Sequence, residues 1–328
     1  MKKSDIIGYS AAILGGFSFG LIPVISGVLR NLETSSFEQS VLRLFFGAMI
    51  ALGIILYFLF RKKDEIITCL SWKPQLSFIL QGGILAIMIV LYLTSISLYT
   101  PAGQAAILIQ IHPVFTLIFG WIFLSEKITK SKVLSIALAL AGIVVLTKPW
   151  NWTSFISSIL GDSLAMLLGV LYAVYLLINR WASEYTKNAS FFLLIAWVLL
   201  WAVIIGIPLL LLLSIFPLPT EIIGFSFAGI LTPKILGYGF LLAFFGSLIP
   251  YGLIMIATRY IESSKASLLL LTEPIGAVAL AAIILKETIT IWYLVGGLAI
   301  LSAACITILT SIKESKTNFV VEIQNNSE

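Results

Sequence analysis

Ten long apolar runs constrain the fold of this 328-residue chain more than any other feature of its sequence. A bilayer's hydrocarbon is about 30 Å thick and a helix rises about 1.5 Å per residue, so one crossing takes about 20 residues. The runs lie at about 6–29, 41–60, 75–98, 102–124, 131–147, 160–179, 191–214, 235–258, 264–285 and 289–311. They are continuous rather than alternating, which favours helices over the strands of a membrane barrel. We predict an all-α membrane protein with ten transmembrane helices.

Composition agrees with lipid as the main solvent of the chain. Hydrophobic residues make up 60% and charged residues 11%, whereas soluble domains carry about 25% charge. The net charge of +5 comes from short clusters between the apolar runs, which gives no indication of nucleic-acid binding. Cys69 and Cys305 have no metal-ligand spacing, and His112 is the only histidine. We expect no cofactor, metal or nucleic acid.

The distribution of Lys and Arg predicts the orientation, because these residues accumulate on the cytoplasmic side. With a cytoplasmic N-terminus, only five of the 20 basic residues lie outside, namely Arg30, Arg43, Lys148, Lys234 and Lys286. The inner cluster Arg61-Lys62-Lys63 then enforces this topology and contacts acidic headgroups of membrane lipids. We predict a multi-pass plasma-membrane protein with both termini, including a tail at 312–328, in the cytoplasm.

The chain contains an internal repeat. A shift of 161 residues pairs Pro113 with Pro274, Glu126 with Glu287 and Thr129 with Thr290. A shift of 153 residues pairs Gly8, Ala12, Gly16 and Gly20 with Gly161, Ala165, Gly169 and Ala173. Small residues at every fourth position allow helix backbones to approach closely, although Gly and Ala are also common in membrane helices.

The repeat predicts two inverted halves. Each half has five spans, an odd number, so the second copy must enter the membrane from the opposite side. The predicted boundaries are 1–147 for the first half, 148–159 for an outer loop and 160–311 for the second half. Inverted halves around a midplane site are typical of secondary transporters, which work by alternating access.

Several motifs resemble those of EamA-type permeases in the drug/metabolite transporter superfamily. They are Phe19-Gly20-Leu21-Ile22-Pro23-Val24, Leu42-Arg43-Leu44-Phe45, His112-Pro113-Val114-Phe115 with Glu126, and Glu273-Pro274 with Glu287. The resemblance covers nearly the whole chain. It implies a ten-helix inverted-repeat fold that exports or exchanges small metabolites, including amino acids and drug-like compounds, through a central cavity.

Two ionisable residues at membrane depth, His112 and Glu273, are the first candidates for a transport site. A charge at the bilayer centre costs about 2.5–3.5 kcal/mol, so such residues default to a functional interpretation. Each precedes a proline, which should break its helix and free backbone carbonyls. We expect both to face the cavity and to bind an amino group or exchange a proton. The alternative is that Glu273 caps backbone groups and His112 bonds across helices.

Helical spacing supplies further lining candidates. Met88, Tyr92, Ser95 and Tyr99 share one face of the third span, and Leu168, Tyr172, Tyr175 and Asn179 share one face of the sixth. Gln104 shares the His112 face of the fourth span, whereas Gln110 is expected to point elsewhere. Pro250 and Tyr251 mark a further helix break with a polar tip. Aromatic stripes of this kind also serve plain helix packing.

The remaining polar residues near the span ends favour structural roles. Thr129 and Thr290 are placed to cap the next helices, and Glu126 and Glu287 lie at the interface, which makes them structural. Arg43, at the outer mouth of the second span, is expected to pair with Glu38 or Glu33, and attraction of an anionic substrate is its second interpretation.

These features predict a transporter of a small organic molecule, with export favoured by the resemblance alone. We expect a proton as a candidate coupling ion, and a chain that acts as a monomer or homodimer. The sequence has no phosphate-binding Gly-rich loop, and only Glu273 with His112 could be proposed as a paired nucleophile and base, so an enzyme is not expected. The alternatives are a flippase for lipids or lipid-linked sugars, and a membrane receptor or assembly partner without transport.

Overall fold

A computed structural model gives the fold of the chain. It describes residues 3–97, 108–147, 159–187, 189–217 and 220–284, and it also describes positions 291–292, 294–299, 302–303, 305–306 and 309–310. Gln104, Glu287, Thr290 and the tail at 312–328, all named by the sequence analysis, lie outside the described residues. The described part of the chain is helical and contains no strand.

The helices begin and end as follows: α1 Lys3–Phe19, α2 Leu21–Asn31, α3 Ser36–Arg61, α4 Lys63–Cys69, α5 Trp72–Ser97, α6 His112–Leu124, α7 Lys130–Thr147, α8 Ile159–Ala182, α9 Phe191–Leu213, α10 Thr220–Ile223, α11 Phe227–Ile230, α12 Pro233–Ala243, α13 Ile249–Tyr260, α14 Ser263–Leu270 and α15 Glu273–Ile284. A 3-10 turn at Ile109–Ile111 leads into α6, and a π-helical turn at Phe244–Leu248 joins α12 to α13.

Six helical segments are long and apolar enough to cross a bilayer. They are Ser4–Asn31, Ser36–Arg61, Trp72–Tyr92, Leu160–Ala182, Phe191–Leu213 and Pro233–Tyr260, with a shorter apolar helix at Ile109–Leu124. Large side chains such as Phe60 and Phe123 are about three-quarters exposed on the outside, where lipid is the matching solvent. The prediction of a multi-pass helical membrane protein is confirmed, and the full count of ten spans stays a prediction.

Three helix breaks coincide with prolines. Pro113 lies in the first turn of α6 after the 3-10 turn, and Pro250 lies in the first turn of α13 after the π-helical turn. Pro274 follows the first residue of α15, which is separated from α14 by a turn at 271–272. Proline has no N–H to donate, so the first turn of a helix is the position that tolerates it best. The breaks expected from the sequence at these prolines are therefore present.

The two halves pack against each other through equivalent glycines. A Cβ atom added at Gly16 would lie 3.0 Å from the carbonyl oxygen of Leu270, and one added at Gly169 would lie 2.7 Å from that of Ile109. Gly16 and Gly169 are 153 residues apart, and Ile109 and Leu270 are 161 apart, the two shifts found in the sequence. The small-residue stripes therefore allow each half to place one helix against the broken helix of the other half.

The two broken helices run antiparallel. At the C-terminal end of α6, the Glu126 carboxylate accepts hydrogen bonds from the backbone N–H groups of Ser263 (2.8 Å) and Ser264 (3.2 Å) at the start of α14. Lys132 Nζ lies 3.9 Å from the same carboxylate, and Thr129 Oγ1 accepts from the Lys132 N–H at 3.3 Å. These bonds agree with the structural roles predicted for Glu126 and Thr129.

Candidate solute site

A cavity lies among the broken helices. Its empty volume is about 420 Å³. The cavity is lined by Phe19, Ile22, Arg43, Met88, Ile89, Tyr92, Ile109, Leu168, Tyr172, Tyr251 and Glu273. Most of the wall is apolar or aromatic, and it contains one acidic and one basic side chain.

The acidic group of the cavity is Glu273. It is the first residue of α15. Helix α1 approaches closely at Gly16 and lies next to the backbone N–H of Glu273. The residue is 8% exposed, and its carboxylate forms no ion pair with any described residue. The Gln110 side chain lies beside it, although Gln110 Nε2 has no partner at hydrogen-bond distance. A carboxylate buried in this way is free to bind a cation or a proton.

The basic group of the cavity is Arg43, which is 3% exposed. Its Nε donates to Ser247 Oγ at 2.8 Å, and its Nη2 donates to the carbonyl of Gly246. Both acceptors belong to the π-helical turn, a type of distortion that is frequent at functional sites. Among the described residues no carboxylate pairs with Arg43. The guanidinium is therefore held by neutral acceptors, and its charge is left uncompensated.

The expectation that Arg43 pairs with Glu38 or Glu33 is wrong. Glu38 belongs to a capping box in the first turn of α3, where its carboxylate accepts from the backbone N–H of Ser35 at 2.8 Å. Its other oxygen accepts from the backbone N–H of Ser226 at 2.6 Å. Unpaired N–H groups at a helix start attract a carboxylate. Arg43 lies five residues further on, so its side chain points inward, away from Glu38.

Aromatic rings form the wall between the two charged groups. Phe19 contacts the rings of Tyr172 and Tyr251 edge to face, with centroid distances of 5.8 and 4.9 Å. The hydroxyls of Tyr92 and Tyr251 lie near both the Arg43 guanidinium and the Glu273 carboxyl. Arg43 and Glu273 do not pair with each other, since no ion pair joins them in the described structure. The site is therefore a dipolar cavity with a tyrosine-rich wall.

Five of the nine residues predicted for the site line this cavity. They are Met88, Tyr92, Tyr172, Tyr251 and Glu273. Gln104 lies outside the described residues. The other three, namely His112, Tyr175 and Ser95, are buried close to the cavity but do not line it.

The expectation that His112 faces the cavity is wrong. Its side chain is fully buried, and its ring lies against that of Tyr172 with a centroid distance of 4.6 Å. His112 Nε2 lies 3.2 Å from Gln110 Oε1, while Nδ1 has no partner. The Tyr172 ring separates the imidazole from the open space, because the sixth span approaches this point closely through Gly169.

Tyr175 and Ser95 also lie behind the wall. The Tyr175 ring is fully buried against Tyr251, with a centroid distance of 5.1 Å. The Ser95 hydroxyl donates to the carbonyl of Tyr92 at 2.8 Å, a local bond within the helix. Both residues therefore shape the wall from behind, where a solute in this cavity does not reach them.

The expectation that Gln110 points away from His112 is wrong. It holds for an ideal α-helix, but in the structure the Gln110 side chain lies beside both His112 and Glu273. The reason is the 3-10 turn at Ile109–Ile111, which turns about 120° per residue instead of 100° and shifts every angular position that follows. The proline at 113 was the only signal of this distortion.

Comparison with known proteins places the chain among membrane transporters. The model of the EamA-like transporter family matches residues 6–148 and again 159–309. An uncharacterized transporter of Archaeoglobus fulgidus is 28% identical over 92% of this chain and 97% of its own length. The pseudopaline exporter CntI of Pseudomonas aeruginosa is 24% identical over 51% of this chain and 53% of its own. A probable amino-acid metabolite efflux pump of Salmonella typhimurium is 26% identical over 63% and 68%.

The fold also has a counterpart among solved structures. One crystal structure superimposes with a TM-score of 0.68 and covers 95% of this chain and 99% of its own, at 16% identity. At this identity the similarity concerns the fold alone.

Proposed function

The chain belongs to the EamA-like transporter family, and from this premise we propose that it exports a small zwitterionic metabolite across the plasma membrane by alternating access. In this proposal ten spans form two inverted halves, with both termini in the cytoplasm. The equivalent glycine contacts and the antiparallel broken helices support the inversion. The names of its family and relatives point to a membrane transporter rather than an enzyme.

One observation carries the choice of solute: Arg43 and Glu273 line the same cavity, and neither has an ion-pair partner in the described structure. Uncompensated buried charges are costly, and a ligand of opposite charge removes that cost. A solute with a carboxylate for Arg43 and an ammonium group for Glu273 satisfies both at once. Guanidinium and carboxylate pair in a bidentate geometry that suits this role.

The aromatic wall sets the rest of the specificity. Tyr92 and Tyr251 supply hydroxyl groups near the two charges, and Phe19 and Tyr172 supply apolar ring surface. Such a mixture of apolar area with few polar groups is typical of pockets for small organic molecules. A relative named as a probable amino-acid metabolite efflux pump agrees with a zwitterionic cargo.

In the proposed cycle the two halves rock against each other at the contacts of Gly16 with α14 and of Gly169 with the 3-10 turn. This motion opens the cavity to one side of the membrane at a time.

Glu273 gives a direct way to couple transport to protons. Its carboxylate can hold a proton or the ammonium group of the solute, but not both. When a proton and the solute compete for one carboxylate, the binding of one displaces the other. The carrier therefore moves protons and solute in opposite directions. An inward proton gradient would then drive export.

Transport by purified protein in liposomes tests this proposal. We expect radiolabelled amino acids, supplied as a mixture, to accumulate in proteoliposomes whose interior is acidic, and to leak away when a protonophore collapses the gradient. Empty liposomes and liposomes with the Arg43→Gln, Glu273→Gln double variant are the controls. Uptake no greater than in empty liposomes, with protein that is folded and incorporated, would contradict the proposal.

A further inference from the structure

A second, smaller pocket lies on the far side of the Tyr175 and Tyr251 rings from the cavity. It is enclosed by α5, α8, α9 and α13, and its empty volume is about 240 Å³. Gln81, Asn179, Met255 and Arg259 are among the side chains that line it. None of these residues contributes to the cavity with Arg43 and Glu273.

Two polar atoms of this pocket lack partners. Gln81 is 1% exposed, and its Oε1 accepts no hydrogen bond. Arg259 Nε is buried and donates none, although Nη2 donates to the carbonyl of Thr186 at 2.9 Å. Buried polar groups are almost always paired, so an unpaired acceptor and an unpaired cationic donor in one pocket need an explanation. A polar group of a passing solute, or the water that precedes it, provides one.

The pocket lies in line with the cavity. Gln81 is seven residues from Met88 on α5, Asn179 is seven residues from Tyr172 on α8, and Arg259 is eight residues from Tyr251 on α13. Steps of seven or eight residues return to the same face of a helix about 11 Å further along. Three helices therefore continue the lining of the cavity toward the membrane face that holds residues 62–71 and 183–187.

One aromatic layer separates the two spaces. The Tyr175 ring is fully buried against Tyr251, and Tyr251 itself lines the cavity. Met255, one turn beyond Tyr251 on α13, lines the second pocket. Movement of this ring pair would join the two spaces into one path.

We infer that this pocket is the entry subsite on the face of residues 62–71, where Arg259 Nε binds the carboxylate of the solute and Gln81 Oε1 accepts from its ammonium group before the tyrosine layer opens. The inference rests on the proposed function, since it extends the same path. Arg259 sets the sign of the subsite: its guanidinium forms no ion pair in the part of the chain that the structure describes. Its Nη groups are held by backbone carbonyls and its face lies over the Phe191 ring at 4.1 Å.

Cysteine labelling tests the subsite without any knowledge of the solute. In a Cys69→Ala, Cys305→Ser background, Gln81→Cys and Asn179→Cys are each exposed to an anionic and a cationic methanethiosulfonate that cannot cross membranes. Right-side-out and inside-out vesicles are compared, and Lys62→Cys marks the face in question. Leu80→Cys, next to Gln81 but 42% exposed on the outside of the helix, is the control that should stay unlabelled.

We expect both pocket cysteines to react from the face that labels Lys62→Cys and not from the other. The ratio of anionic to cationic labelling rates should fall about tenfold when Arg259→Gln is added, the effect of one unit charge in a partly hydrated site. Arg259→Lys should restore it. A general change in the accessibility of the cysteine alters both labelling rates equally and leaves their ratio unchanged. If the Gln81→Cys variant does not fold, Asn179→Cys is used in its place.

Three outcomes would overturn the subsite. They are no labelling at either pocket position, labelling from the opposite face only, or a ratio of anionic to cationic labelling rates that Arg259→Gln leaves unchanged. Labelling requires no flux and no solute. A chain that fails to transport amino acids but gives the expected labelling would overturn the proposed function while the hydrated entry path stands.

Discussion

In the contact of α1 with α14 and α15, and again in the contact of α8 with the 3-10 turn, a glycine approaches a backbone carbonyl, but the ionisable residues beside the two contacts differ. Gly16 meets the Leu270 carbonyl in the first, and Gly169 meets the Ile109 carbonyl in the second. Glu273 lines the cavity beside the first contact, whereas His112, at the equivalent position, is sealed behind Tyr172 beside the second. The two repeats therefore share the helix contacts of the scaffold, but of these two equivalent residues only Glu273 lines the cavity.

Tyr172, the residue that covers His112, shows how the two repeats differ. The 153-residue shift that relates Gly16 to Gly169 also relates Phe19 to Tyr172, and these two rings meet edge to face at 5.8 Å. The pair crosses the boundary between the halves. Phe19 lines the cavity together with Glu273 and does not cover it, whereas the Tyr172 ring covers His112.

The largest expected difference between the two repeats is the effect of Glu273 and His112 on transport. Glu273→Gln should reduce proton-driven flux about a hundredfold, because a neutral amide can neither bind an ammonium group strongly nor exchange a proton. His112→Gln, its equivalent in the other half, should keep flux within about threefold, since His112 does not line the cavity. Initial uptake rates in proteoliposomes measure both. Equal losses would show that the imidazole takes part.

The next test concerns the symmetric scaffold. Gly16→Ala and Gly169→Ala should each lower the free energy of unfolding by about 1–3 kcal/mol. At both positions the added methyl group would meet a backbone carbonyl and also a side chain, that of Thr272 at Gly16 and that of Ile111 at Gly169. Gly53→Ala, where nothing lies within 4 Å, is the matched control and should be neutral or slightly stabilising. Thermal unfolding in detergent gives the values. A loss at only one of the two glycines would contradict the equivalence of the contacts.

The polar clamp where α6 ends and α14 begins should matter less than this packing. Glu126→Gln replaces a carboxylate that accepts from two backbone N–H groups and should cost about 1–2 kcal/mol of unfolding free energy. Glu33→Gln, at an exposed position outside the cavity, is the control. An unchanged melting temperature for Glu126→Gln would mean that the clamp does not hold the two halves together.

The smallest effect is a pH dependence beside that clamp. Burial raises the pKa of Glu262, but its hydrogen bond to Lys132 and the charges of Lys132, Lys265 and Arg180 outweigh burial and hold the pKa below its usual value. A carboxyl with a lowered pKa stabilises the folded state above its unfolded pKa, and this stability is lost as the pH falls through the folded pKa. Melting temperature should therefore drop below about pH 4, and less steeply in Glu262→Gln. Identical pH profiles would contradict this contribution.

Much of the scaffold was predictable from the sequence. Apolar runs report lipid exposure directly, and the prolines at 113, 250 and 274 mark helix breaks because their chemistry forbids an internal hydrogen bond. Small residues at every fourth position indicate close helix contacts, and the repeat alone identifies Gly16 and Gly169, the two glycines that lie at such contacts.

The details of the site depended on distortions that a sequence does not display. The π-helical turn that supplies Gly246 and Ser247 to Arg43 has no sequence signature, so the sequence suggests a nearby acid as the partner of Arg43 instead. The 3-10 turn likewise moved Gln110 next to His112. Whether a side chain such as His112 faces a cavity depends on which ring of the opposite half covers it, a tertiary contact outside any helical period.

Ligand discrimination tests most directly the claim that Arg43 and Glu273 bind the two charges of one solute. Among the twenty standard amino acids, the one that most stabilises the folded protein is compared with its methyl ester and its N-acetyl derivative by thermal shift. In the wild type the intact zwitterion should bind about tenfold more tightly than either derivative. Glu273→Gln should abolish the preference over the N-acetyl form, and Arg43→Gln the preference over the ester. Equal binding of all three compounds to the wild type would contradict the account.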